Sequence, residues 1–579
     1  MKQQSRLLLL LFWLIPSLLS AQSVGLVMSG GAAKGLAHIG VIKALEEHNI
    51  PIDYITGTSI GAIIGGLYAM GYSPDEMADL IRSDEFRFWL TGDVEPKYQY
   101  YFKTTETLPN YLRIGIDIKD SLQISPRLPN SLIPSAQMNY VFLRLFSQAN
   151  AVGYNSFDNL FVPFRSVASN MNEKKAHVFR SGDLGDAVRA SMSFPLVFKP
   201  ITIDGNLMLD GGIYNNFPVS VMLKDFNPDY MIGSNVAGDP KEIDEKNVYS
   251  MLESMVVNRF DFPIPPGRGT TIKFQLNNIS LRDFDKLDEA VQIGYERTIA
   301  VIDQIKQSVK REVTQEELSA RRAAFREKLP ELRFGEICLT ESTELNKEQK
   351  GYIIRTMNKD GRTFDIAEFK KDYFKLLADK QIAEIIPRAT YVSTDNLFEL
   401  GLTVHPSEQL SVLFGGNIST GVANQTYIGL NYKGFSSYTY DLLVDGQFGR
   451  IYNAGRFIFR IDLPMHRPLY FKLTGNTHVF NHFASDRIFY EDNRQVSQYQ
   501  RENYLKLNIG MPVKMSSLLE FGFTAGVLTD TYRRERFIYP DGKSDISTYD
   551  VTGISARYEA NSLDDRQFPT TGSCRRYLA

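Results

Sequence analysis

The sequence predicts a multidomain chain: an α/β domain on a mostly parallel sheet, a small α+β segment, and an antiparallel, incomplete β-barrel of the transmembrane kind. Three observations predict it. Short apolar runs alternate with helical patterns from residue 23 to about 310. Residues 331 to about 390 read as strand, helix, helix, strand. From about 397 onward, apolar and polar side chains alternate with period two. A length of 579 residues asks for several domains, and 43% hydrophobic residues can furnish their cores. A formal net charge of -3 gives no global basic field, so nucleic acid is not an expected partner. Cys338 and Cys574 lie far apart with no metal-type spacing, which suggests neither a disulfide framework nor a zinc site.

The N-terminus comes first. Lys2 and Arg6 precede the apolar stretch Leu7 to Leu19, and Ser20-Ala21 offers a small-residue cleavage point before Gln22. That stretch is too short to cross a bilayer as a helix. Residues 1–21 are therefore expected to be a signal peptide and the chain to be exported. No other run of about 20 apolar residues occurs, so any membrane-embedded part is expected to be a barrel.

Residues 22–310 are expected to form the α/β domain. Val24 to Met28 reads as a buried strand, Leu36 to Glu47 as a helix on the spacing of Ala37, Val41, Ala44 and Leu45. Ile52 to Ile55 is a second strand and Ile60 to Met70 a second helix, an order that argues for a parallel sheet with helices on both faces. Leu287, Val291, Tyr295, Ile302, Ile305 and Val309 form one helix stripe. A polar helical linker over 311–330 follows and ends at Pro330. In the segment 331–390, Leu332 to Leu339 and Ile382 to Ile386 read as strands, Asn346 to Met357 and Ile366 to Leu377 as helices.

The barrel is expected over 391–579. Tyr438, Tyr440, Leu442, Val444 and Phe448 share one face, with Thr439, Asp441, Asp445 and Gln447 on the other. Phe457, Phe459, Ile461 and Leu463 alternate with Arg456, Arg460 and Asp462. Leu505, Leu507, Ile509 and Met511 alternate with Tyr504, Lys506 and Asn508. Strands of about ten residues with one apolar side suit a transmembrane barrel; a soluble antiparallel sandwich is the competing reading. Eight or nine such strands are expected before Ala579, with no aromatic final strand, so the barrel is expected to be incomplete.

Gly57-Thr58-Ser59-Ile60-Gly61 is a G-x-S-x-G motif between a strand and a helix, where a nucleophile elbow belongs. Ser59 would sit at a helix N-terminus, which favours developing negative charge. Alone the motif is weak, because a Gly-flanked serine is also an ordinary helix cap. The loop Ser29-Gly30-Gly31-Ala32-Ala33-Lys34-Gly35 after the first strand can present backbone N–H groups to an oxyanion. It is not a Walker A loop, since Gly35 follows Lys34, and it is a poor dinucleotide fingerprint. Asp210-Gly211-Gly212 follows an apolar strand, whereas Asp204-Gly205-Asn206 just upstream reads as a hairpin turn. His38, His48 and His177 read as structural, and no pairing with an acidic residue is visible from spacing. A Ser–Asp dyad and a histidine triad both stay open at this point. An aspartate base is chemically reasonable if burial raises its pKa.

Gly30 to Gly35, Gly57 to Gly61 and Asp210-Gly211-Gly212 together resemble the three signatures of the patatin-like phospholipases. The segment Ala190 to Pro200 resembles that family's stretch between serine and aspartate. The resemblance covers residues 24 to 310. It implies an α/β patatin-like sandwich, no cofactor and no metal, and hydrolysis of acyl esters in phospholipid or other acyl lipids. It assigns Ser59 as nucleophile, Asp210 as base, and the backbone of Gly30, Gly31 and Ala32 as oxyanion hole, with Lys34, Gly35, Gly57, Gly61, Gly211 and Gly212 as supporting motif residues. The family loop usually carries a third glycine where Ala32 stands; a methyl group fits there if φ is negative. The clusters Leu132 to Pro134 and Tyr140 to Leu143 read as an acyl-chain pocket, as a lid facing lipid, or as ordinary core.

Residues 331–390 resemble a single POTRA domain. Asn561 to Gly572 resembles a turn-and-strand motif of the bacterial surface antigen family of outer-membrane assembly and secretion barrels. The order of the three parts resembles the patatin-like autotransporters. That implies an outer-membrane location with the hydrolase periplasmic or at the cell surface, and a possible homodimer. The alternative is a non-catalytic outer-membrane transport or assembly protein with a lipid-binding N-terminal domain. An esterase or thioesterase acting on soluble acyl substrates is a third reading.

Overall fold

The computed structural model describes residues 22–104, 106–116, 131–237, 262–274, 276, 278–340, 345–357, 361–418, 424–481, 497–533, 543–564 and 569–579. The expected signal peptide lies outside them, as does part of the motif at 561–572. The chain divides into two compact units. The first holds residues up to Gly92, from Asn130 to Leu332 and Ser393–Asn396; the second holds Asp93–Pro129, Arg333–Val392 and Leu397–Ala579.

The first unit is built on an eight-stranded sheet. Its strands are β1 (Val24–Met28), β2 (Tyr54–Thr58), β3 (Phe164–Asn170), β4 (Lys175–Phe179), β5 (Ile201–Ile203), β6 (Asn206–Asp210), β7 (Tyr230–Asn235) and β8 (Gly269–Lys273). The order is β8-β7-β1-β2-β3-β6-β5, with β4 also on β3. The pairs β7/β8, β1/β7, β1/β2 and β2/β3 are parallel; β3/β4, β3/β6 and β5/β6 are antiparallel. Every residue of β1 is buried, so both faces of the sheet are covered there, as parallel sheets require. The β5–β6 turn at Asp204-Gly205 has positive φ at both positions, the hairpin geometry its sequence predicts.

Helices α1 (Ala37–Glu47), α2 (Ile60–Ala69), α3 (Pro74–Arg82), α4 (Asp84–Thr91), α5 (Ala136–Val152), α6 (Leu184–Ser191), α7 (Val219–Asp225), α8 (Leu287–Ser308) and α9 (Gln315–Arg326) belong to this unit. The pair α1/α8 packs unusually close: a Cβ on Gly40 would lie 1.9 Å from Val291 O, and one on Gly294 2.0 Å from Ala37 O. The buried stripe of α8 is therefore Leu287, Ala290, Gly294, Thr298, Ile302 and Ile305, with Val291 and Tyr295 at its margin. Helix α9 is more than a polar linker. It buries Leu318 and Phe325 and pairs the Arg322 guanidinium with the buried Glu46 carboxylate. Tyr140, Val141, Phe142 and Leu143 are buried in α5, whereas Leu132 is largely exposed.

In the second unit, a four-stranded sheet runs Phe364–Asp365, Arg333–Leu339, Leu397–Pro406, Ile382–Val392 in spatial order, accompanied by helices Lys347–Met357 and Ile366–Leu377. This small sheet therefore extends past position 390. The unit's other sheet is antiparallel and, among the described residues, has ten strands whose two edges are Asn110–Ile116 and Cys574–Leu578, so it is not closed. Nine of its strands come from beyond residue 409; the tenth, Asn110–Ile116, pairs with Leu410–Asn417. The sheet is inside-out by the standard of a water-soluble protein. Val444, Phe448, Leu505 and Leu507 are 49%, 57%, 53% and 45% exposed, while Asp445, Asn508, Glu520 and Glu559 are buried. Among the described residues no helix is long and apolar enough to cross a membrane, which says nothing of strands.

Candidate active site

Strand β2 ends at Thr58 and α2 begins at Ile60, so Ser59 is the whole turn between them. Its backbone sits at φ 55°, ψ −122°. Such positive φ costs a non-glycine residue on the order of 1–3 kcal/mol and holds the side chain out of the sheet. The flanking glycines are steric necessities. A Cβ on Gly57 would lie 2.3 Å from Gly61 O, and one on Gly61 2.6 Å from Met28 O. Gly35 serves the same purpose from the loop side, since a Cβ there would meet Ile60 Cγ2 at 2.1 Å.

The sheet register carries Asp210 to this turn. Strand β3 lies between β2 and β6, aligning Val167 with Thr58 on one side and Ala168 with Asp210 on the other. Two residues 151 positions apart thus meet across one intervening strand. Ser59 Oγ–H donates to Asp210 Oδ2 at 2.7 Å. Asp210 Oδ1 accepts from the Gly212 N–H at 2.8 Å. Gly211 must lack a side chain, because a Cβ would lie 2.1 Å from Val167 O. Ser191 braces the turn: its Oγ–H donates to Val167 O at 2.5 Å and its oxygen accepts from Ser59 N–H at 2.8 Å. The Asp210 carboxylate is fully buried, and burial pushes its pKa up from 3.8 to about 6, against the opposing pull of the Ser59 and Gly212 hydrogen bonds.

The glycine-rich loop is best understood by accounting for its polar groups. Ser29 N–H donates to Ser234 O at 3.1 Å and Gly30 N–H to Asn216 O at 3.1 Å. Ser29 O accepts from His38 Nε2–H at 2.9 Å, and Gly30 O from Ser29 Oγ–H at 3.0 Å. Gly31 O accepts from Lys34 N–H at 3.2 Å. Two N–H groups, those of Gly31 and Ala32, meet no acceptor among the described residues. A Cβ on Gly30 would lie 3.1 Å from Ser59 Cβ, so the loop runs directly against the serine. Ala32 has φ 47°, not the negative value expected for an alanine, and carries the strain that a glycine would avoid.

No histidine stands in for Asp210 among the described residues. His38 spends both ring nitrogens, on Ser234 Oγ at 2.7 Å and on Ser29 O. His48 Nδ1 bonds Ala44 O at 3.0 Å, and the His177 ring packs on Phe179. Lys34 is buried in the short helical turn that follows Gly31. Sequence reasoning missed three contributors: Ser191, Ser29 and the backbone carbonyl of Asn216. Ser29 and Ser191 lie inside motif segments and Asn216 just past one, and that neighbourhood was the only signal. Among the described residues, no three His, Cys, Asp or Glu side chains gather as metal ligands would.

Residues 26–223 match the family model described as patatin-like phospholipase. The patatin-like phospholipase domain-containing protein ZK370.4 of Caenorhabditis elegans is 30% identical over 242 residues, 41% of this chain and 15% of that protein. Lysophospholipase NTE1 of Yarrowia lipolytica is 31% identical over 205 residues, 35% of this chain and 12% of that protein. The chain thus spans less than a fifth of the length of these curated relatives. Among solved structures, BamA from Haemophilus ducreyi lacking POTRA domains 1-3 is matched at 13% identity and a TM-score of 0.32, over 42% of this chain and 47% of that one.

Proposed function

We propose that the first unit is a lipid acyl hydrolase that cleaves carboxylic esters of phospholipid or related acyl lipids with a Ser–Asp dyad. The observation that carries this reading is the 2.7 Å hydrogen bond from Ser59 Oγ to the buried Asp210 carboxylate. Asp210, ionised above about pH 6, takes the hydroxyl proton as Ser59 Oγ attacks the acyl carbonyl carbon. The oxygen of that carbonyl gains the negative charge. The Gly31 and Ala32 N–H groups are the loop donors left to receive it, each worth roughly 3–4 kcal/mol in the transition state. The Gly30 N–H is spent on Asn216 O and does not serve. The leaving alcohol departs with the proton. Water, deprotonated by the same aspartate, then attacks the acyl-serine ester; the acyl–Oγ bond breaks, Asp210 returns the proton to Ser59 Oγ, and the fatty acid is freed.

The inside-out sheet of the second unit supports a membrane location. Its exposed Val444, Phe448, Leu505 and Leu507 face outward where lipid would solvate them, and buried carboxylates occupy the opposite face. We read it as the wall of an outer-membrane β-barrel, preceded by a POTRA-like segment, with the exported hydrolase tethered to it.

The test is covalent labelling. A fluorophosphonate probe should modify Ser59 of the full chain in detergent, and Ser59→Ala should abolish both labelling and phospholipid turnover. Turnover that persists in Ser59→Ala removes the hydrolase reading and leaves a lipid-binding transport or assembly protein.

A further inference from the structure

We propose that His38 and Ser29 form a clamp that aims the Gly31 N–H at the reacting carbonyl oxygen, which makes both positioning residues for the hydrolysis assigned above. The inference rests on that assignment and adds which side chains set its geometry.

A trans peptide unit points its C=O and its N–H in opposite directions, so holding one end fixes the other. The Ser29–Gly30 unit is held at both ends: His38 Nε2–H grips Ser29 O at 2.9 Å, and Asn216 O grips the Gly30 N–H at 3.1 Å. The next unit, Gly30–Gly31, is held by its carbonyl alone, on Ser29 Oγ–H at 3.0 Å. Its free end is the Gly31 N–H. Rotation of that unit would redirect the donor, in a loop whose Gly30 lies against Ser59. Ser29 Oγ is itself fixed, because it accepts the Val236 N–H at 2.9 Å.

His38 has one usable tautomer here. A carbonyl oxygen only accepts, so Nε2 carries the proton and Nδ1 accepts from Ser234 Oγ–H at 2.7 Å. Ser234 in turn receives the Ser29 N–H on its main-chain oxygen at 3.1 Å. His38, Ser29 and Ser234 are all completely buried, so water cannot replace a lost partner. Burial also lowers the His38 pKa from 6.5 to about 4, which keeps the ring neutral, and the tautomer intact, wherever Asp210 is ionised. A neutral histidine with both ring nitrogens engaged elsewhere, and with no hydrogen bond to Ser59 or Asp210 among the described residues, is not the base. Its two bonds act on the backbone of the loop.

The experiment compares Ser29→Ala, His38→Leu and His38→Gln in the full chain in detergent, measuring kcat and KM on micellar phosphatidylcholine. A side-chain amide of glutamine can donate from near the Nε2 position, so His38→Gln keeps the grip on Ser29 O. Ser29→Ala and His38→Leu should lower kcat by about 10- to 100-fold, somewhat less than outright removal of an oxyanion donor. KM should stay within about threefold and the pH inflection near 6 should not move, because Asp210 is untouched. His38→Gln should recover at least about tenfold of the loss. The clamp is refuted if kcat of Ser29→Ala stays within about threefold of wild type, if the loss falls on KM, or if His38→Gln is as impaired as His38→Leu. Should His38→Leu fail to fold, Ser29→Ala removes a single oxygen and decides the matter alone. If wild type shows no Ser59-dependent turnover, the hydrolase reading has failed. If turnover needs Ser59 but is indifferent to these variants, the clamp alone has failed.

Discussion

The replacement Asp210→Asn should make the first unit more stable while removing its activity. The Asp210 carboxylate is completely buried, and its pKa rises from 3.8 to about 6. At about 1.4 kcal/mol per pH unit, ionising it in place costs about 3 kcal/mol more than ionising it in the unfolded chain. The sign follows from proton binding. Between pH 3.8 and about 6 the folded state holds the proton more tightly. Stability contributed by this group is therefore full at low pH, falls as pH rises through that window, and stays low above it. Asparagine resembles the protonated aspartic acid: it still accepts from the Gly212 N–H and offers an amide to Ser59 Oγ. The two proteins should therefore unfold alike near pH 3.5 and diverge as pH rises, Asp210→Asn leading by about 3 kcal/mol at pH 8. Urea unfolding of the full chain in detergent, followed through the fluorescence of the buried Trp89 in α4, reads this unit. With a slope of about 2–3 kcal/mol per molar, the midpoint should shift upward by about 1–1.5 M at pH 8. A midpoint at pH 8 equal to or below that of wild type would refute the premise that burial of this charge is a cost held for catalysis.

Three further outcomes are expected. The kcat/KM for ester hydrolysis should rise with pH through an inflection near 6, falling about tenfold per pH unit below it; a profile flat from pH 4 to 8 contradicts Asp210 as base. Ala32→Gly should relieve the φ of 47° and raise stability by about 0.5–1 kcal/mol, net of glycine's greater freedom when unfolded, as measured by the same Trp89 transition. Leu507→Lys, on the exposed apolar face of the large sheet, should cost about 2–4 kcal/mol in phospholipid vesicles by urea titration, and a loss below about 0.5 kcal/mol would argue that this face does not meet lipid.

The features legible from sequence are those whose cause is local. A turn made by one residue of positive φ demands neighbours without side chains, so the Ser59 elbow leaves its trace in Gly57 and Gly61. The hairpin at Asp204-Gly205 announces itself for the same reason. The alternation in 438–463 shows directly as outward apolar and inward polar faces. What stayed hidden depends on distant partners. Nothing in residues 110–116 names Leu410–Asn417 as their neighbour, because an edge strand reads the same whichever edge it joins. Gly30 could not be separated from Gly31 as a donor until Asn216 O was seen to occupy its N–H. The φ of Ala32 was likewise invisible, since alanine there violates the local rule rather than obeying it.

Because residues 93–129 are spliced between Gly92 and Asn130 of the first unit yet group with the second, the two units are interleaved along the chain instead of being threaded one after the other. A ribosome making this protein releases the edge strand Asn110–Ile116 some three hundred positions before Leu410–Asn417, its neighbour among the described residues, exists. Tyr111 and Leu112 must wait unpaired through that interval, a sticky ribbon in need of shielding. Anyone wishing to isolate the first unit cannot do so with one cut: residues 93–129 have to be replaced by a linker, or the excised piece will carry an orphaned strand looking for company.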